Sequence, residues 1–262
     1  MTDRRRRQKE QRAAKRQAEK KHEARKELGR RLGTAFIFGL VVVVIFTVGT
    51  FFGGNEGQLP GDYEGFRNQP TACDGEQPDA EPVLSFAAPE AQTDITPEST
   101  VTATLATSCG EIVIELDAAL SPETANSFVF LAREGFFDGQ VFHRIVEGFR
   151  LFSGDPEANG SGGPGYRIAD EYPPDDFVFA PGMVAMDNVG KGTTGSRFFI
   201  LIGESASALN PLFNLLGEVV SGQETLDLIA GVETAVRPGT REQSLPLETV
   251  YIERVTVEVT GS

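Results

Sequence analysis

The chain has 262 residues, and its 24 Lys+Arg against 38 Asp+Glu give a net charge of −14 that averages two opposite regions. Residues 1–32 hold 14 basic and five acidic side chains, a local +9, while the remainder carries −23. That split excludes one uniformly acidic globular domain and makes the overall charge uninformative about partner surfaces.

The basic arm, residues 1–32, runs from Arg4-Arg5-Arg6-Arg7 to Arg30-Arg31 and is rich in good helix formers, yet it shows no apolar stripe at helical spacing. Contact with anionic lipid headgroups is one reading of it, and a charge run that only sets topology is the plainer one; no nucleic acid partner is expected. Residues 33–54 contain no charge and centre on Ala35-Phe36-Ile37-Phe38-Gly39-Leu40-Val41-Val42-Val43-Val44-Ile45-Phe46. As a helix, about 20 of these residues span roughly 30 Å, one hydrocarbon core. A cleaved signal peptide would have a shorter apolar region and a small-residue cleavage site, so an uncleaved signal anchor is the expectation. Only Arg67 is basic in the 78 residues after the span, which predicts a cytoplasmic N-terminus and an extracytoplasmic C-terminal part.

Residues 55–99 hold six prolines, ten acids and one base, the composition of an acidic, Pro-rich linker on the order of 35 to 40 Å long. Within it Val83-Leu84-Ser85-Phe86 is an apolar patch able to dock on a neighbouring domain. Cys73 and Cys109 both fall on the outer side, where they can pair or remain unrelated thiols. A bond between them lowers unfolded-state entropy by about 4 kcal/mol in the chain-entropy model.

Residues 100–262 form the predicted folded domain, mainly β. Val101–Thr107 and Glu111–Leu116 read as a hairpin about Ser108-Cys109-Gly110, since Ile112, Ile114 and Leu116 alternate with Glu111 and Glu115. Ser121-Pro122-Glu123 opens a helix as cap, first-turn proline and acid, and Gly135 ends it. Short strands are predicted over 140–146, 182–186, 198–202, 215–219 and 250–259, with a second helix after the capping box Ser221-Gly222-Gln223-Glu224. The pattern suggests an antiparallel barrel or sandwich with helical caps.

Chemistry is sparse in this domain: one histidine, His143, no nucleophile elbow, no metal-ligand cluster and no phosphate loop, so no cofactor is expected. Arg144 stands out inside the apolar strand Val141-Phe142-His143-Arg144-Ile145-Val146, because a charge there needs a partner or a purpose. That strand, Gly148-Phe149, Ser153-Gly154-Asp155-Pro156, Gly162-Gly163-Pro164-Gly165-Tyr166, Pro181-Gly182-Met183-Val184-Ala185-Met186 and Gly195-Ser196-Arg197-Phe198-Phe199-Ile200 together closely resemble the cyclophilins.

The resemblance implies a closed eight-stranded antiparallel barrel capped by two helices, and prolyl cis–trans isomerisation of X-Pro bonds in extended or unfolded segments. Arg144 matches the catalytic arginine, Phe149 and Phe199 the aromatic pocket walls, and Leu209 the aliphatic wall. Asn188 falls where a backbone carbonyl holds the substrate chain. Phe152 replaces the glutamine that supports the arginine, Arg197 another glutamine, Phe213 a histidine, Ala208 an aromatic, Arg150 an apolar residue and Asp187 a small one. Phe152 cannot hydrogen-bond Arg144, so a less firmly held guanidinium and reduced activity are expected; Asp187 could pair with Arg197 or Arg150. The alternative is a non-catalytic module that grips proline-containing segments at the membrane surface.

Overall fold

The computed structural model describes residues 59–83 and 85–261, so the basic arm and the apolar span 33–54 lie outside the described residues. Among those described, no helix is long and apolar enough to cross a membrane.

Strands β1 (Thr100–Thr107) and β2 (Gly110–Leu116) form the first hairpin, with Val101, Ala103 and Leu105 buried on one face as the period-two pattern requires. They continue through β3 (Arg144–Val146), β4 (Arg150–Ser153), β5 (Met183–Met186), β6 (Phe198–Leu201), β7 (Leu215–Ser221) and β10 (Ile252–Thr260) into one antiparallel sheet of order β10-β1-β2-β7-β5-β6-β4-β3. A separate ribbon pairs β8 (Thr234–Val236) with β9 (Gln243–Pro246).

The strand ladder does not close as the expected barrel would. β3 has three residues, all laddered to β4, so the curled sheet keeps β3 and β10 as its ends. The chain just before each end strand spans the seam: Val141 and Tyr251 form one bridge, Phe142 N–H donates to the Val250 carbonyl at 2.9 Å, and Ile252 N–H to that of Gln140 at 2.7 Å. Leu105, Ile112, Ile114, Phe128, Ile145, Leu151, Ile200 and Leu216 share the enclosed core.

Helix α2 (Pro122–Arg133) follows Ser121, but the serine does not cap it; its Oγ is buried and unpartnered. The Glu171 carboxylate takes the cap's place from a distant loop, accepting from Glu123 N–H at 2.9 Å, Thr124 N–H at 2.8 Å and Thr124 Oγ1 at 2.7 Å. A full negative charge at the positive helix end outcompetes a neutral hydroxyl for those donors. Helix α3 (Gln223–Ala230) also departs from its expected box: Ser221 ends β7 and Gly222, at φ +104°, is the capping residue, without a side-chain bond.

Residues 59–99 contribute to the same compact unit as the sheet rather than forming a free spacer. Helix α1 (Tyr63–Arg67) buries Phe66, which packs with Val141, Leu245 and Tyr251. Thr249 donates through Oγ1 to the Phe66 carbonyl at 2.6 Å and through N–H to that of Pro70 at 2.8 Å. Phe86 stacks edge-on against Phe130, centroids 5.2 Å apart, and Arg133 makes two bonds of 2.9 and 2.6 Å to Asp94. Prolines and acids mask this docking in the composition, because a handful of anchors suffices to hold an otherwise polar segment. Cys73 and Cys109 are disulfide-bonded, with Cα atoms 5.1 Å apart, and tie this segment to the β1–β2 turn.

Candidate active site

Cross-strand register assembles the site. Arg144 lies opposite Phe152 in the β3–β4 pair, and Phe152 lies opposite Phe199 in the β4–β6 pair, where Arg150 faces Leu201. Side chains alternate along a strand, so Leu151 and Ile200 enter the enclosed core while Phe152, Phe199 and Leu201 turn to the other face. There they form a second cluster with Ala185, Ala206 and Leu215, against which Phe149, Leu209 and Phe213 pack half-buried. Phe213 meets Phe199 edge-to-face at 5.3 Å between centroids, and Phe152 meets it tilted at 5.6 Å. Five of the residues expected at a proline pocket are thus brought together.

Arg144 is held more firmly than its missing glutamine suggested. Its Nε donates to Glu242 Oε1 at 2.7 Å and its Nη2 to Oε2 at 2.6 Å, while its guanidinium carbon lies 4.3 Å from the Phe152 centroid. A carboxylate fork and an aromatic face replace the amide support, and both favour the planar cation in one orientation. Glu242 comes from the β8–β9 connection, and β9 packs beside β3, which sets that acid over the arginine. The Arg144 guanidinium holds the Glu242 carboxyl down at about 2.

Two of the other departures, Arg197 and Asp187, are partners of one another. Arg197 is buried; its Nε donates to Asp187 Oδ2 at 3.1 Å and its Nη1 to the Gly160 carbonyl at 2.6 Å. Its guanidinium is therefore engaged by Asp187 and a loop carbonyl. Burial raises the Asp187 carboxyl above its ordinary range, and Arg197 and Arg150 pull against that rise. Asn188 joins two loops, donating to the Leu212 carbonyl at 2.9 Å and accepting from Gly190 N–H at 3.1 Å. Arg150 lies across the aromatic cluster, its guanidinium carbon 4.3 Å from the Phe149 centroid, 4.8 Å from Phe152 and 4.9 Å from Phe199. Burial and the nearby Arg144 lower its pKa.

His143, beside Arg144, is buried and lines a small cavity with Pro60, Gly61, Ala158, Arg237 and Leu245. Burial pushes its imidazole down to about 4, with the Asp155 carboxylate opposing and Arg237, Arg197 and Arg144 reinforcing the shift. Its Nδ1 is buried without a partner. Among the described residues no group of three or more His, Cys, Asp or Glu could hold a metal ion. Sequence reasoning missed Glu242 because nothing local marks a partner 98 positions from Arg144.

A curled antiparallel sheet presenting an arginine over a phenylalanine-lined face defines a class of fold and site, and the comparisons agree. The family model described as "Cyclophilin type peptidyl-prolyl cis-trans isomerase/CLD" matches residues 102–257. The chain belongs to that enzyme family. It is 37% identical over 176 residues to peptidyl-prolyl cis-trans isomerase A of Mycobacterium tuberculosis, covering 62% of this chain and 94% of that one. To peptidyl-prolyl cis-trans isomerase B of Streptomyces anulatus it is 39% identical over 173 residues, covering 60% and 95%. Among solved structures it is similar, at TM-score 0.54 and 25% identity, to a Cryptosporidium parvum cyclophilin-type isomerase crystallised in the presence of the dipeptide Ala-Pro. That match covers 60% of this chain and 98% of the other.

Proposed function

We propose that this protein isomerises X-Pro bonds in extended or unfolded segments of exported proteins, working on the outer side of a membrane to which residues 33–54 anchor it. The observation that carries the reading is the oriented Arg144 guanidinium over Phe152, the ring that links it to the apolar cluster of Phe149, Phe199, Leu209 and Phe213. Glu242 engages Nε and one N–H of Nη2, so Nη1, with neither of its N–H groups taken by Glu242, is the donor for a bound peptide. A hydrogen bond from it to the prolyl nitrogen localises that lone pair and weakens the amide resonance behind the ~18–20 kcal/mol barrier. The phenyl rings hold the pyrrolidine while the preceding carbonyl turns, so the twisted state is bound better than either planar one. No covalent step is needed.

The N-terminal charge asymmetry and uncharged span support the topology, and the disulfide fits an oxidising outer compartment. Arg150 lying over three rings supports a rate below that of a chain with an open pocket. The test compares the full chain with Arg144→Ala on a short proline peptide. Acceleration by the first and its loss in the second are expected. Equal rates at the uncatalysed level eliminate catalysis, and peptide binding in that event would instead favour a gripping module without turnover.

A further inference from the structure

Arg150 is the one arginine of this cluster that has not found an acid. Arg144 is paired with Glu242 and Arg197 with Asp187, so three guanidiniums face two carboxylates, both already engaged. Among the described residues Arg150 forms no ion pair, and its Nε is buried without a hydrogen-bond partner. The groups in direct contact with it are the faces of Phe149, Phe152 and Phe199, while Asp187 and Glu242 act on it only through space, bonded as they are to the other two arginines. Aromatic faces attract a cation but supply no acceptor for its N–H groups, so the site leaves directional bonding capacity unused.

Two occupants compete for those faces. A prolyl ring packed on Phe149 and Phe199 needs the space that the Arg150 guanidinium covers, so a bound proline must shift the side chain aside. With an apolar neighbour, the peptide gives the displaced cation nothing in return. A carboxylate next to the proline gives it a bidentate, charge-assisted partner at the pocket mouth, and a lysine there adds a third like charge to Arg144 and Arg150. Resting on the isomerase reading above, we infer that Arg150 is a specificity-determining residue that selects prolines flanked directly by Asp or Glu. Its position on β4, two residues from Phe152 and on the same face, keeps its reach to about one residue either side of the proline.

The experiment measures kcat/KM of the full chain on short peptides that differ only in the residue before or after proline, as Ala, Glu or Lys. A Glu peptide is expected to exceed its Ala counterpart by about tenfold, and Lys to fall below Ala. In Arg150→Met the Ala peptide should gain and the three should converge. Thermal melting establishes that the variant folds, and Arg150→Gln, which keeps a planar polar end without charge, serves the same comparison. Glu and Ala peptides within twofold of each other in the unmodified chain, or an undiminished Glu preference in either folded variant, overturns the selectivity. Absence of acceleration with every peptide is a separate result and overturns the isomerase reading itself.

Discussion

Replacing Glu242 by glutamine tests whether Arg144 is oriented from 98 positions away. The substitution preserves shape and one carbonyl acceptor but removes the charge and one of two bonds, of 2.7 and 2.6 Å. Bonds to charged groups contribute about 1.5–3 kcal/mol when buried, and exposed ion pairs about 0.2–1 kcal/mol. With side-chain exposures of 25% for Arg144 and 36% for Glu242, this pair lies between those limits. An orienting contribution of about 1–2 kcal/mol corresponds to a roughly 5- to 30-fold loss of kcat/KM. In the proposed mechanism the arginine acts on the twisted amide rather than on ground-state binding, so the loss should fall in kcat, with KM nearly unchanged. A protease-coupled or fluorescence isomerisation assay reads this directly, alongside a urea melt to separate stability from rate. A kcat/KM within twofold of the unmodified chain, or a loss confined to KM, refutes the claim that Glu242 positions Arg144.

Three further outcomes are expected. Cys73→Ser should lower the melting midpoint, by the equivalent of about 2–4 kcal/mol for a disulfide whose half-cystines are 36 positions apart, with an unchanged melt ruling out that constraint. His143 is neutral when folded and holds its pKa near 4, against 6.5 when unfolded. Protons then bind the unfolded chain first, so stability falls as pH drops from about 6.5 to 4, by about 3 kcal/mol. His143→Gln should flatten that part of the pH–stability curve; the Glu242–Arg144 contribution is kept above pH 4.5 and is lost only as pH falls toward about 2. Glu171→Ala removes the cap on α2 and should cost about 1–2 kcal/mol in a denaturant melt, whereas Ser121→Ala should cost far less.

Local signals carried the regular elements. The β1–β2 hairpin, α2 and the strands containing Phe198 and Val184 follow from alternation, proline placement and glycine stops that neighbouring residues alone can express. β4, β8 and β9 were not legible, being three or four residues long and supported by pairing rather than by their own pattern. The docking of residues 59–99 was legible only in the apolar patch Val83-Leu84-Ser85-Phe86, whose Phe86 packs on the core; its other anchors, Tyr63, Phe66 and Ala72, form no periodic signal.

The same division runs through the site. By itself, the sequence determined that an arginine sits in an apolar strand beside Phe149, and that Phe199 follows a matching motif, because those residues are adjacent in the chain or share the family's spacing. Tertiary structure alone decided what each charge touches. Glu242 takes Arg144, Asp187 takes Arg197, and Arg150 is left on three phenyl faces. The physical reason is that an ion pair is specified by where two side chains end in space, and no local periodicity encodes that position when β9 and β3 meet across the fold.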